Sequence, residues 1–406
     1  MISQQLNDQI TRIGADDDAG MLLRQYWQPA ALCDDISFGL PLAVNLLGEH
    51  LALVESLKGY KLVKRIVTGN PNAAHMPAAE EITLDEDGRS YPAVIMKGIV
   101  FAYLGQGEPP KFPNFDCFRA PDTHVFAFKG LWRCNWLQAL EVGIDPAHAS
   151  FLHRFLEDED PSKGYGKQFR DTADDTDIPM TKILRDYPRP EILVDETNYG
   201  LKITALRHME NELTHVRVTN QIFPQAICIP MSREMTITQW HVPIDNNNCY
   251  WYSIFTSFDQ PVDKKLMREQ RLKEHMLPDY APIKNAGNNY HYDPDEQAHK
   301  TYTGMGLDIN VHDQWAVEGM GPIQDRTQEH LGRSDVAIIR YRRILRKAIA
   351  DLQDRRTDSL LMKDLAAALI KGPLSNDAIT KTSEWQQASH AADLVRRKLC
   401  PWDASI

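Results

Sequence analysis

Between residues 192 and 255 the chain alternates short β-branched and aromatic runs with tight turns, and this pattern most narrows the fold. Ile192-Leu193-Val194-Asp195 and Leu201-Lys202-Ile203-Thr204-Ala205 flank Asn198-Tyr199-Gly200. Val216-Arg217-Val218-Thr219 and the run 235–240 come next, and 250–255 follows the turn Asp245-Asn246-Asn247-Asn248. Runs so spaced form one antiparallel sheet built from meanders. An earlier β-rich stretch has runs at 43–47 and 51–54 around Gly48-Glu49-His50, and another at 99–104 stopped by Gly105. Residues 66–90 read as loop, and the Pro-rich stretch 107–113 reads as a linker. Helical composition marks 131–155 and 262–280. A long amphipathic helix follows Ser334, with Ile338, Tyr341, Leu345, Ala348 and Leu352 recurring every three or four residues. Two more helical stretches are predicted at 359–371, stopped by Gly372-Pro373, and at about 377–398. Helices bracketing an antiparallel sheet make the chain α+β, and 406 residues allow two or three domains.

Composition removes several function classes. The formal charge is −11, which argues against broad affinity for nucleic acid or anionic membranes. No apolar run approaches the roughly 20 residues of a membrane-spanning helix, and the first residues carry no signal-peptide pattern. Six dispersed cysteines are too few for a disulfide scaffold. The predicted compartment is the cytoplasm. No phosphate loop, dinucleotide fingerprint or serine elbow is present.

The strongest chemical signal lies in residues 134–153, which reduce to D-x2-H-x4-H: Asp145, His148 and His153. Two imidazoles and a carboxylate suit a divalent first-row metal. Five residues of ideal helix turn through roughly 500°, so the two histidines do not share a helix face. They meet on one metal only if the helix is distorted or ends between them; otherwise they are ordinary core or surface histidines. A second candidate is Asp313, within Val311-His312-Asp313-Gln314-Trp315. It would complete a facial triad with positions open for dioxygen, against the bland reading of a solvated acid or helix cap. The arginines at 340, 342, 343 and 346 read as the solvated face of the long helix.

The string 135–153 resembles the mononuclear-iron motif of Rieske-type aromatic-ring-hydroxylating oxygenases. Residues 21–30 resemble the entry to that family's first domain, and 91–94 and 98–105 resemble the strands that close it. Residues 314–343 resemble its phthalate 4,5-dioxygenase and phenoxybenzoate dioxygenase branch, most distinctively at Met320-Gly321-Pro322-Ile323-Gln324-Asp325-Arg326 and on to Gly332. The resemblance spans roughly 20–350. It implies a residual Rieske-like β domain at 1–125, a helix-grip (START-like) catalytic domain at 126–356 and a C-terminal helical extension at 357–406. It implies mononuclear Fe(II) on His148, His153 and Asp313. Asp145 would position a ligand and relay electrons between subunits, with a purely orienting role as the plainer reading. Glu141 reads as a structural acid. The implied partners are dioxygen, an aromatic acid or aryl ether as substrate, and an external electron-transfer protein or reductase, within a head-to-tail homotrimer.

One part of the family pattern is missing. Its [2Fe–2S] cluster is held through C-x-H and C-x2-H, and neither is present. The run 51–56 passes almost directly to Lys58-Gly59-Tyr60-Lys61, and Cys33 is the lone cysteine before residue 110. No [2Fe–2S] cluster is therefore expected, and electrons would have to come from another protein. The alternative is a non-catalytic structural or regulatory subunit that pairs with an intact oxygenase.

Overall fold

Two antiparallel sheets carry the architecture of the computed structural model, which describes residues 1–57, 59–67, 77–85, 88–158, 180–363 and 372–403. The first sheet runs in the order Trp27–Leu32, Ile99–Tyr103, Ser90–Met96, Gly59–Ile66, Glu49–Ser56, Leu42–Leu46. Thr83–Leu84 pairs with Gly59–Ile66 beside that path, so the predicted loop at 66–90 includes a short strand. Glu49–Ser56 and Gly59–Ile66 form a tight hairpin in which Ser56 faces Gly59.

The second sheet runs in the order Val125–Trp132, Cys249–Ser257, Met235–Pro243, Ala226–Ser232, Leu213–Ile222, Gly200–His208, Glu191–Glu196. Every neighbouring pair is antiparallel, as the meander pattern implies. The two sheets share one core. Trp240 lies edge-on to Phe101 at 5.6 Å, and the amides of Leu47 and Gly48 donate to Pro243 and Ile244 carbonyls.

Three helix predictions need correction. The stretch 131–155 is not one helix. Leu131 and Trp132 end a strand, Trp136–Gly143 is the first helix, and His148–Leu152 is a separate short one. The stretch 262–280 keeps only Lys264–Leu272, followed by the small ribbon His275–Met276 and Ala281–Pro282. The helix expected at 377–398 begins late. Asn376–Lys381 is a strand, and the helix is Trp385–Leu399. That strand pairs with 213–218 of Leu213–Ile222, whose remaining edge, 220–222, pairs with Ala226–Ser232. The C-terminal strand thus occupies an edge that the shorter neighbour leaves open. The helix predicted at 359–371 lies largely outside the described residues; Thr357–Ser359 forms a single 3-10 turn.

The long helix Val336–Gln353 packs on Glu191–Glu196 and Gly200–His208, burying Ile338, Tyr341, Leu345, Ala348 and Ile349. This spacing is the apolar stripe of an amphipathic helix. The Tyr341 hydroxyl donates to the Pro224 carbonyl at 2.9 Å. Among the described residues no helix is long and apolar enough to cross a membrane.

Candidate metal centre

The helix Trp136–Gly143 begins at Asn135, whose side-chain oxygen accepts from the Leu137 amide while its amide donates to Thr11 and Asn246 carbonyls. Gln138 donates to the Val317 and Gly321 carbonyls and accepts from the Gln324 amide. The distinctive segment after Met320 therefore grips this helix. Glu141 meets Arg326 at 2.8 Å and Arg342 at 2.6 Å, and Arg342 also meets Glu329. Arg342 is buried, so the solvated reading of the arginine run fails at this position. Burial raises the Glu141 carboxyl, but the two guanidinium groups outweigh it and hold the pKa below the usual value. Glu141 is a structural acid, as the sequence suggested.

The next turn presents the metal-type ligands. The Asp145 carboxylate accepts from the Ala147 amide at 2.8 Å and the His148 amide at 3.1 Å, which fixes the start of the helix His148–Leu152. The helix ends at Leu152, and His153 sits at its C-cap with φ −95° and ψ 23°. This settles the spacing problem: the helix stops between the two histidines. Their rings come within 5.0 Å, nearly perpendicular at 83°. Asp313 arrives from the helix Ile309–Glu318. Its Oδ1 lies 3.5 Å from His148 Nε2 and 3.2 Å from His153 Nε2, and one ligand atom from each of the three residues lies within 4.8 Å of the others.

The hydrogen bonds determine which ring nitrogens carry protons. His148 Nδ1 donates to the Asp145 carbonyl, which leaves Nε2 with a lone pair. His312 Nε2 donates to the Gly306 carbonyl at 2.9 Å. His312 Nδ1 then accepts from His153 Nδ1, 3.4 Å away, and His153 Nε2 is left with a lone pair as well. Burial, the largest cause, lowers the His312 pKa to about 4, consistent with a neutral acceptor. Asp313 Oδ1 is buried with no hydrogen-bond partner among the described residues, and burial pushes its carboxyl up to about 6. Three lone-pair donors facing one point repel each other unless a cation sits between them. The residues therefore fit a divalent first-row metal, with each imidazole oriented through its other nitrogen.

Sequence reasoning missed two contributors. His312 precedes Asp313 directly, but its role depends on contact with His153, 159 positions away. Arg207 reads as an ordinary strand residue, yet it is 1% exposed. Its Nη2 donates to the Pro146 carbonyl and the Ser150 hydroxyl, both at 3.2 Å, while Nε and Nη1 have no partner among the described residues. Arg207 lines the same cavity as Asp145, His148, His153 and Asp313. Burial and the nearby Arg217 lower its pKa to about 10, so it stays charged near neutrality. Arg217, also lining the cavity, is matched by Asp377 at 2.7 Å. Among the remaining histidines, His215 contacts Asp377 and His241 lines the cavity. His208 and His299 lie at the surface with acidic neighbours.

Residues 102–398 match the family described as LigXa C-terminal domain like. The phthalate 4,5-dioxygenase oxygenase subunit of Pseudomonas putida is 27% identical over 398 aligned residues, covering 87% of each chain. The 5,5'-dehydrodivanillate O-demethylase oxygenase subunit of a Sphingobium species is 24% identical, in an alignment that covers 98% of this chain and 93% of that one. Among solved structures, dicamba monooxygenase bound to dicamba shares the fold, with a TM-score of 0.50 at 14% identity over 82% of this chain and 99% of that chain.

Proposed function

Because the chain belongs to the LigXa C-terminal domain like family and is an oxygenase subunit, an oxidoreductase that uses dioxygen, we propose that it hydroxylates, demethylates or cleaves the ether of an aromatic carboxylic acid. The single observation that carries this reading is the convergence of two imidazole lone pairs and an unpartnered buried carboxylate oxygen beside one cavity. We propose Fe(II) as the metal, held by His148, His153 and Asp313. A ferrous ion bound there supplies dioxygen activation. Asp145 is a positioning residue, holding His148 Nδ1 through its carbonyl and the helix start through its carboxylate.

Arg207 supports an acid as substrate. A buried guanidinium with two unpartnered nitrogens on a cavity wall is an anion site, because carboxylates accept from Arg in bidentate fashion. The apolar part of the same cavity, with Ile227, Ile229 and Ile237, suits the ring.

We propose that the chain carries no [2Fe–2S] cluster and takes electrons from a separate protein. Ser56 faces Gly59 across a tight hairpin, and Cys33 is alone in the first 110 residues, whereas such clusters need paired thiolate ligands. The division at 125 and 356, the homotrimer and the cytoplasmic address belong to the same proposal. The short hairpin also suits a non-catalytic partner of an intact oxygenase, but such a subunit has no use for the metal-ligand convergence. His148→Ala is expected to lose both bound iron and turnover. A variant that keeps normal iron content and activity would overturn the assignment.

A further inference from the structure

The wall of the cavity formed by Met235–Pro243 presents a second polar group. Ile237, Gln239 and His241 alternate along this strand and line the cavity together, as every second strand residue shares a face. The intervening Trp240 points the other way and packs on Phe101 and Phe118. His241 is 1% exposed, with one face against the Trp132 ring at 5.6 Å. Its Nε2 lies 3.3 Å from Gln239 Nε2, and its Nδ1 has no partner among the described residues. Burial lowers its pKa to about 3, so the ring is neutral near neutrality. With the Gln239 amide donating to Nε2, the ring proton sits on Nδ1, a buried donor with nothing to receive it. Such groups are rare, because an unmade buried hydrogen bond costs free energy.

This pole and Arg207 line the same cavity. A Cβ at Gly143, at the end of the helix Trp136–Gly143, would lie 3.7 Å from His241 Nε2. Arg207 Nη2 contacts the Pro146 carbonyl. Gly143 and Pro146 are three residues apart, within about 11 Å by chain reach. The Val142, Ile227, Ile229 and Ile237 side chains line the cavity along with these two poles. We propose that Gln239 and His241 bind a neutral oxygen substituent of the ring (a hydroxyl, alkoxy or carbonyl oxygen), so that the substrate is an aromatic acid bearing a second oxygen function away from its carboxylate. This inference rests on the reading of Arg207 as the carboxylate anchor.

Calorimetric titration of the full chain, kept without oxygen, with benzoate, 3-hydroxybenzoate, 4-hydroxybenzoate and phenol separates the two claims. At least one hydroxybenzoate is expected to bind roughly tenfold tighter than benzoate. His241→Phe keeps the ring packed on Trp132 and is expected to abolish that preference, read as the ratio of hydroxybenzoate to benzoate affinity in the same variant. Gln239→Leu is expected to reduce the same preference and serves if His241→Phe does not fold. Arg207→Met is expected to weaken all three acids alike. A hydroxyl preference that survives both strand variants, or no preference in the unaltered chain, overturns the second pole and leaves the anchor standing. Benzoate affinity unchanged by Arg207→Met, or no binding of any acid, overturns the anchor and the inference with it.

Discussion

The chain buries two charge clusters, and they are built in opposite ways. Around Glu141 the charges balance: Glu141 and Glu329 face Arg326 and Arg342, with contacts of 2.8, 2.6 and 2.5 Å. Around Asp377 they do not. Asp377 meets Arg217 at 2.7 Å and His215 at 3.1 Å, while among the described residues Arg207 has no carboxylate partner. Burial lowers the His215 pKa, so this histidine adds no compensating charge of either sign. Buried charges are costly unless paired. A balanced cluster is therefore architecture, here tying the helix before the candidate metal ligands to the Met320–Gly332 segment and the long helix. An unbalanced cluster on a cavity wall is what the proposed anion site at Arg207 predicts.

The largest effect that would break this contrast is on stability. Glu141→Gln leaves two buried guanidinium groups with one acid between them and should cost about 3–5 kcal/mol, read from the denaturant midpoint. A near-neutral result would remove the architectural role. Asp377→Asn comes next, at about 1–3 kcal/mol, because Arg217 is partly exposed and loses a charge-assisted bond. Adding Arg207→Met should return part of that loss, since it removes the charge that repels Arg217; strictly additive losses would show that the two arginines do not interact. Arg207→Met alone should leave stability within about 1 kcal/mol or raise it, because replacing an unpaired buried charge by an apolar chain is often neutral or favourable. A large loss would make Arg207 a structural residue. The smallest effect is on acid stability. The Glu141 pKa is depressed in the fold, so its contribution is complete above the unfolded value near ~4.3 and is lost as pH falls toward the folded value. The unaltered chain should therefore lose stability more steeply below about pH 4 than Glu141→Gln does, as followed by thermal melts across pH.

What the sequence disclosed and what it hid follow from locality. The meander strands were readable because each run is bounded by its own turn residues, such as Asn198-Tyr199-Gly200. Asn376–Lys381 was not, because it is a strand only by pairing with Leu213–Ile222, more than 150 residues earlier. In the same way Arg342 lies within a charged helical run, and its pairing with Glu141, 201 positions away, together with Glu329, is what lets it be buried. At the centre, D-x2-H-x4-H named the histidines, but spacing alone could not bring them together; the end of the helix at Leu152 does. His312 and Arg207 had no local signature. Their roles depend on which nitrogen a distant partner leaves free.

The proposed centre is tested most directly by measuring iron and acid-labile sulfide together on protein purified without oxygen. About one iron per chain with no sulfide is expected from a single set of two imidazoles and a carboxylate. No iron after anaerobic Fe(II) addition, or sulfide in the sample, would contradict it.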